Sequence, residues 1–108
     1  MNNLSSKLKK RIIIEEPVYT SDLLGGFITA WNNYKTLWAE VEPLKTAKKL
    51  AAEKRESRNN YNITTRYVAG ITTKMRINLN GRYLQILSII NPNEENIMLE
   101  ILATDEVQ

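Results

Sequence analysis

The sequence predicts a mainly β fold, a small antiparallel β-barrel of about seven short strands with one mid-chain helix or long loop excursion. Short segments of alternating apolar and polar residues recur along the chain, and no strand–helix–strand rhythm separates them. The pair Asn80-Gly81 lies between two of these segments, which is typical of a tight hairpin. With 108 residues, the chain is expected to form one domain, residues 1–108, with short flexible termini.

The first predicted strand lies in the segment "LKKRIIIEEP", residues 8–17, where β-branched residues dominate. Pro17 is expected to stop this strand, and the later pair Gly25-Gly26 indicates loop chemistry. The segment between the first and second strands is therefore predicted to be an irregular polar connection.

Two further strands are predicted at residues 27–33 and 34–42, because period two fits these segments better than a helical period. The turn between them is placed near Asn32-Asn33. This interpretation assigns Trp31 and Trp38 to different strands, with each indole packing on its own side of a sheet edge.

Residues 44–57 form the only segment with good helix propensity, since they are rich in Ala, Lys, Leu and Glu and contain no Gly or Pro. The apolar face of this helix is thin, being limited to Leu44, Ala47, Leu50 and Ala51. A helix that buries so little of its own surface needs a neighbour or a partner for stability.

The second half of the chain is predicted to be a meander of strands at residues 61–69, 74–79, 82–90 and 97–104. Asn80-Gly81 connects the second and third of these, because both residues tolerate the positive φ that a type I′ turn requires. Residues 91–96 are a polar turn.

The chain contains no Cys and no His, which excludes disulfides, thiolate metal sites, imidazole ligands and a Ser-His-Asp triad. Glu40 and Glu42 lie on one strand face roughly 7 Å apart, but no third acid and no glycine-rich phosphate loop accompany them. They are interpreted as solvated or interface charges, and no catalytic, metal or cofactor site is assigned. No signal peptide or membrane-spanning segment is visible either, so a soluble intracellular product without a membrane partner is expected.

The charge is unevenly distributed along the chain, although the net charge is only +3. Residues 1–14 carry four positive charges and no negative one, and residues 44–58 carry six positive and two negative charges. Residues 91–108 carry five acidic residues and no basic one. Such polarity suits stacking between molecules, whether head to tail or layer to layer.

The order of these pieces resembles the phage head–tail joining family, whose members are also called head–tail adaptors, head-closure proteins or stoppers. The resemblance covers residues 8–106 and rests on "LKKRIIIEEP", "LGGFITAW", "LWAEVEPL", a basic segment, "TTRYVAGITTKMRI", "NGRYLQILSIINPNEEN" and "MLEILATDE", in that order. Each motif is weak alone, whereas the whole series with comparable gaps is specific.

The resemblance implies a structural, non-enzymatic virion protein of a tailed bacteriophage or prophage, located at the virion neck and assembled in the host cytoplasm. It implies a ring, in 6 or 12 copies, that joins the portal-adaptor ring to a tail terminator or tail-tube protein. Transient contact with genomic double-stranded DNA is also implied, because in such proteins the excursion, here residues 43–60, projects into the DNA channel and closes it.

Carried onto this sequence, the candidate channel gate consists of the basic residues of that excursion, namely Lys45, Lys48, Lys49, Lys54, Arg55 and Arg58. These residues either hold DNA phosphates in the channel, or line the outside of the ring or contact an acidic neighbouring ring, and composition does not decide between these positions. The segment lacks the glycine that family members carry after the Trp-Ala-x-Val strand, which favours a helix over a pliable loop.

The candidate docking and interface residues are Arg11, Trp31, Trp38, Glu94 and Glu95. For the two indoles, packing in the core or at a subunit interface is the favoured interpretation, since each can bury a large area. The alternative function is a small single-stranded nucleic-acid-binding barrel that acts as a soluble monomer and stacks bases on Trp31 or Trp38.

Overall fold

The computed structural model describes residues 8–22, 25–44 and 59–105. Six described strands form a closed antiparallel barrel in the order β1-β2-β3-β6-β5-β4, which confirms the predicted fold class. They are β1 (Lys10–Asp22), β2 (Gly25–Leu44), β3 (Asn60–Arg66), β4 (Arg76–Leu79), β5 (Arg82–Ile90) and β6 (Met98–Asp105), with a short 3₁₀ turn at Pro92–Glu94. The predicted mid-chain helix lies outside the described residues except for Leu44, which ends β2.

Two predicted strand boundaries are wrong. Pro17 does not stop β1, which continues to Asp22 and pairs with β2 along its whole length. Pairing between β1 and β4 ends at Glu15, so among the described strands β2 is the only partner of β1 at Pro17. Proline is tolerated on such a strand because no second ladder needs its missing N–H group.

The predicted turn at Asn32-Asn33 is also absent, since both asparagines lie inside the continuous strand β2. A β-bulge follows them, where Ile14 pairs with Lys35 and Glu15 pairs with Asn33, which leaves Tyr34 as the extra residue. Two predicted strands are therefore one, and the barrel has six described strands rather than about seven.

The bulge also corrects the prediction for the tryptophans. Trp31 and Trp38 lie on the same strand and pair with Pro17 and Arg11 of β1. Seven residues of regular strand would place them on opposite faces, but one extra residue at Tyr34 restores the parity. Both indoles consequently lie on the outer face of the barrel.

The barrel interior is filled by the alternating residues of every strand, as the period-two patterns predict. Its members are apolar and almost completely buried, and they are Ile12, Ile14, Ala39, Tyr61, Ile63, Met75, Ile77, Leu79, Leu84, Ile86, Leu99, Ile101 and Ala103. β-Branched and γ-branched side chains fill such a narrow barrel efficiently, which explains the Ile-rich strands. No helix in the described ranges is long and apolar enough to span a membrane.

The hairpin between β4 and β5 forms as predicted. Asn80 has a φ of 53° and Gly81 a φ of 90°, and Leu79 pairs with Arg82 across the turn. The Asn78 side-chain oxygen accepts a hydrogen bond from the Gly81 N–H at 2.8 Å, which further stabilises the turn.

The far parts of β1 and β2 extend beyond the barrel as a two-stranded arm. We call residues 16–22 and 25–32 the hairpin arm, because β4 pairs with β1 only at residues 13–15 and β3 pairs with β2 only at residues 39–44. Tyr19, Phe27 and Ile28 are about half exposed on it. A two-stranded ribbon with exposed apolar side chains gains stability from a partner surface.

Candidate functional site

Both anchors of the excursion lie at one end of the barrel, which we call the excursion end. Leu44, the last residue of β2, pairs with Asn60, the first residue of β3. The Asn59 carbonyl accepts hydrogen bonds from the Asp105 N–H and the Thr104 hydroxyl, both at 3.1 Å. The chain therefore leaves and re-enters the barrel wall at neighbouring positions, and the re-entry point is held by β6.

The predicted gate residues do not fall within the described part of the chain. Lys45, Lys48, Lys49, Lys54, Arg55 and Arg58 all lie in residues 45–58, outside the described residues. Their assignment stays a prediction, and only the positions at which the segment is anchored are known.

A cavity of about 510 Å³ opens at the excursion end. It is lined by Lys10, Val41, Pro43, Leu44, Asn59, Asn60, Tyr61, Leu79, Asn80 and Arg82. The Arg82 guanidinium lies 5.4 Å from the Tyr61 ring centroid, and its Nη1 donates to the Tyr61 hydroxyl at 3.5 Å. The described lining residues supply two cations and several amides, which suits binding, and among these described residues no nucleophile is paired with a base.

The outer wall carries a compact polar and aromatic group that we call the Glu15–Arg76 cluster, consisting of Glu15, Trp31, Arg76, Asn78 and Tyr83. Arg76 Nε donates to Glu15 Oε1 at 2.7 Å, and Asn78 Nδ2 donates to Glu15 Oε2 at 3.3 Å. The Arg76 guanidinium also lies 4.2 Å from the Trp31 ring centroid and 3.8 Å from that of Tyr83. Glu15 is only 8% exposed, so this ion pair is largely shielded from water.

Sequence reasoning missed the Glu15–Arg76 cluster. Glu15 and Arg76 are 61 residues apart, and neither belongs to a motif that predicts the contact. The cluster decides the role of Trp31, because the guanidinium covers one face of its indole ring. Trp31 is thus a packing residue of the wall, and a nucleic-acid base would find this ring face occupied.

Trp38 has a different environment. It is 51% exposed, and the Arg11 guanidinium lies 4.9 Å from its ring centroid. This exposed aromatic and cation pair suits a protein partner. A barrel that binds single-stranded nucleic acid instead needs several aromatic side chains for base stacking along a basic groove. The outer face of β2 carries the acidic residues Glu40 and Glu42 beyond Trp38, which would repel the phosphates.

The two tryptophans should respond very differently to truncation. We expect Trp31→Ala to lower the free energy of unfolding by about 2 kcal/mol, because it removes packing and the cation–π contact within the wall. Trp38→Ala should cost less than about 0.5 kcal/mol, as an exposed surface position does. Urea titration followed by far-UV circular dichroism measures both, and equal losses would contradict the assignment.

Glu94 and Glu95 are exposed at the connection between β5 and β6. Asn91 holds this turn, because its carbonyl accepts from the Glu94 N–H at 2.8 Å and its side-chain oxygen accepts from the Asn96 N–H at 3.1 Å. In the strand order, β5 and β6 lie on the opposite side of the barrel from β2 and β1, so these acids are not next to Arg11 or Trp38 of the same molecule. Their role at an interface stays a prediction.

Glu40 and Glu42 occupy the outer face of β2, two residues apart as predicted. Glu40 pairs with Thr64, whose other neighbour is Glu100 of β6. Within residues 8–22, 25–44 and 59–105, no group of three acidic, His or Cys residues is arranged to hold a metal ion.

Taken together, the fold and the candidate site define a class: a small β-barrel in which β2 ends beside the start of β3 and the outer wall carries apolar surface. More specifically, the chain belongs to the phage head completion protein family, whose family model matches residues 4–106. The protein is thus a structural component of a phage head that contacts other virion components, which agrees with the resemblance found in its sequence motifs.

Two solved structures share this fold. The chain is similar to a chain in the virion of a native gene transfer agent particle, with a TM-score of 0.75 at 22% identity, over 93% of this chain and 96% of that one. It is also similar to protein SF1141 from Shigella flexneri 2a, with a TM-score of 0.72 at 26% identity, over 100% and 99% of the two chains. A comparison with curated proteins found no match.

Proposed function

We propose that several copies of this head protein form a ring at the virion neck, where the ring joins the portal-adaptor ring to the tail. In this proposal, residues 43–60 of each copy converge on the axis and close the DNA channel after packaging. When the tail signals, the excursions move aside and DNA passes. The action is mechanical and involves no reaction.

The observation that carries the proposal is the pairing of Leu44 with Asn60. The excursion begins and ends on adjacent strands of a closed barrel, so it can change its conformation without disturbing the barrel. With 15 residues between these partners, the tip can extend roughly 25 Å from the wall. A segment whose two ends are joined at one position of the barrel wall suits a switch between two arrangements of similar free energy.

The basic charge of the excursion supports a position near either of two acidic surfaces. Six cations against two acids in residues 44–58 would attract DNA phosphates in the channel, with strong dependence on salt. The same cations would equally attract an acidic neighbouring ring. Both interpretations place the excursion at a contact that forms in the virion.

Removing the excursion tests the closing role. We replace residues 45–59 with Asn-Gly, because Leu44 and Asn60 are direct partners and a two-residue type I′ turn joins such a pair. Virions that carry this variant should assemble but lose at least tenfold in nuclease-resistant genomes per particle.

A charge variant provides the matched control. Changing the six basic residues of the excursion to Gln keeps its length and tests whether closure is electrostatic or steric. Normal retention of DNA by virions that contain the shortened protein would contradict the proposal, provided that its circular dichroism spectrum shows an intact barrel.

A further inference from the structure

The outer wall of β1 and β2 carries a row of apolar side chains that we call the aromatic stripe. Tyr19, Ile28 and Trp38 in this row are about half exposed. The row is completed by Ile13 and Trp31, which are partly buried. Tyr19 pairs with Ile28, and both tryptophans face the same side of the sheet after the bulge at Tyr34. Tyr19 is 54% exposed and Trp38 51% exposed. The stripe runs from the barrel wall onto the hairpin arm.

A second apolar area covers the outer wall of β5 and β6. Because three acidic residues lie among its apolar side chains, we call it the acidic patch. It consists of Leu87, Ile90, Glu94, Glu95, Ile97 and Glu100. Ile90 is 55% and Ile97 58% exposed, and Ile90 pairs directly with Glu100. Apolar areas rimmed by charge are typical of protein interaction sites.

The strand order places these two areas on opposite sides of the barrel. In a closed ring ordered β1-β2-β3-β6-β5-β4, the strand three places from β1 is β6, and the strand three places from β2 is β5. Two contact areas that face opposite directions are what a subunit in a ring requires, since each copy must contact one neighbour on each side.

The charges of the two areas are complementary along β1. Exposed Lys9 and Arg11 border the stripe on its β1 side, whereas residues 91–105 contain four acidic residues and no basic one. Glu40 and Glu42 border the stripe on its other side, near β3. An acidic surface of a neighbouring copy is thus attracted to the β1 border of the stripe and repelled from the border formed by Glu40 and Glu42. This difference fixes the orientation of the neighbouring copy.

We propose that the aromatic stripe of one copy binds the acidic patch of the next copy, head to tail. This inference rests on the ring of the proposed function and names the surfaces that form it. The stripe side chains expose on the order of 400 Å², about half of what one partner buries in a stable complex. The contact is therefore weak in free protein and becomes stable when copies are aligned on a template.

Sedimentation velocity with complementary variants tests the pairing of the two surfaces. Trp38→Glu places an acid in the stripe, Glu100→Lys reverses charge in the patch, and Lys74→Glu is the control, because Lys74 is exposed outside both areas. We expect wild type and Lys74→Glu to self-associate with the same dissociation constant, below about 1 mM. The dissociation constant of each of the other two variants should be at least tenfold higher.

The decisive sample is an equimolar mixture of Trp38→Glu and Glu100→Lys. Each variant keeps one intact surface, so the mixture should form a dimer of wild-type affinity and nothing larger. A mixture no stronger than its components, or a wild type that stays monomeric at about 1 mM, would overturn the inference.

The two proposals fail in different experiments. If Trp38→Glu and Glu100→Lys associate like wild type while excision of the excursion causes loss of DNA, the proposed contact surfaces are wrong. The proposed ring and its gate then still stand. If instead the contact surfaces are confirmed and DNA retention is normal after excision, the ring stands and the gate is wrong.

Discussion

Glu15→Ala is expected to lower the free energy of unfolding by about 3 kcal/mol, a large effect for one residue of the outer wall. The substitution removes the carboxylate to which both Arg76 and Asn78 donate hydrogen bonds. Breaking a shielded ion pair from one side costs several kcal/mol, because the remaining charge stays desolvated. The Arg76 side chain is 16% exposed, so water can solvate part of it and the full cost is not reached.

The effect should be concentrated where the barrel closes. β1 and β4 pair through only three residue pairs, Ile13–Asn78, Ile14–Ile77 and Glu15–Arg76. Loss of the cluster weakens one of the three, so hydrogen exchange of amides at this pairing should accelerate more than exchange in β3 and β6. Urea unfolding gives the total loss and exchange gives its location.

Glu16→Ala is the matched control for this prediction. Glu16 is the neighbouring acid on the opposite face of β1, away from the cluster, so its removal should cost less than about 0.5 kcal/mol. A double variant Glu15→Ala/Arg76→Ala should lose less than the sum of the single losses, because the two residues interact. Strict additivity would show that the ion pair contributes nothing.

The parts of the fold that sequence predicts well are those that depend on neighbours along the chain. Asn80-Gly81 specifies its turn through the φ preferences of the two residues themselves, and the alternation in β5 and β6 follows from one buried and one exposed face. The closed antiparallel architecture follows from many such strands without crossover helices.

The length of β2 depends on contacts that no local pattern encodes. Pro17 and Asn32-Asn33 are good turn signals, yet both lie within paired strands. Pro17 is tolerated because β4 pairing has ended by that point, and the asparagines are followed by a bulge that absorbs the irregularity at Tyr34. Tertiary pairing overrides the local preference in both cases.

The sequence shows which segments of the chain are charged, but it does not show how the described surfaces are arranged in space. The basic start of β1 and the acidic segment around β6 are visible in the sequence, but their placement on opposite walls requires the strand order. Nothing in the sequence distinguishes the environments of Trp31 and Trp38. In the structure, Arg76 covers the ring of Trp31, whereas Trp38 is exposed. A contact over 61 residues gives no signal in a single sequence.

Gly70→Ala is expected to lower the free energy of unfolding by about 3 kcal/mol through two separate mechanisms. Gly70 has a φ of +92°, a region that L-residues rarely adopt, which costs about 1–2 kcal/mol for alanine. An added Cβ would also collide with the Tyr34 hydroxyl, which donates to the Ala69 carbonyl at 2.8 Å. The side chain of Tyr34 packs against the core, so it cannot move away freely.

Gly81→Ala separates the two mechanisms. Gly81 has a similar φ of +90°, but no atom lies within 4 Å of the position that its Cβ would occupy, so only the backbone cost applies. The difference between the two variants in urea unfolding, about 1–2 kcal/mol, measures the collision with Tyr34. Equal losses would show that the Tyr34 ring moves aside without cost.

The collision at Tyr34 has a consequence for the hairpin arm, because Tyr34 is the bulge residue from which the arm leaves the barrel. If the Tyr34–Ala69 hydrogen bond holds the bulge, Gly70→Ala should accelerate hydrogen exchange in the arm, whereas Gly81→Ala should not. Adding Tyr34→Phe to Gly70→Ala removes the colliding oxygen together with the hydrogen bond. It should recover part of the stability while exchange in the arm remains fast, since relief of the collision does not restore the bond that orients the arm.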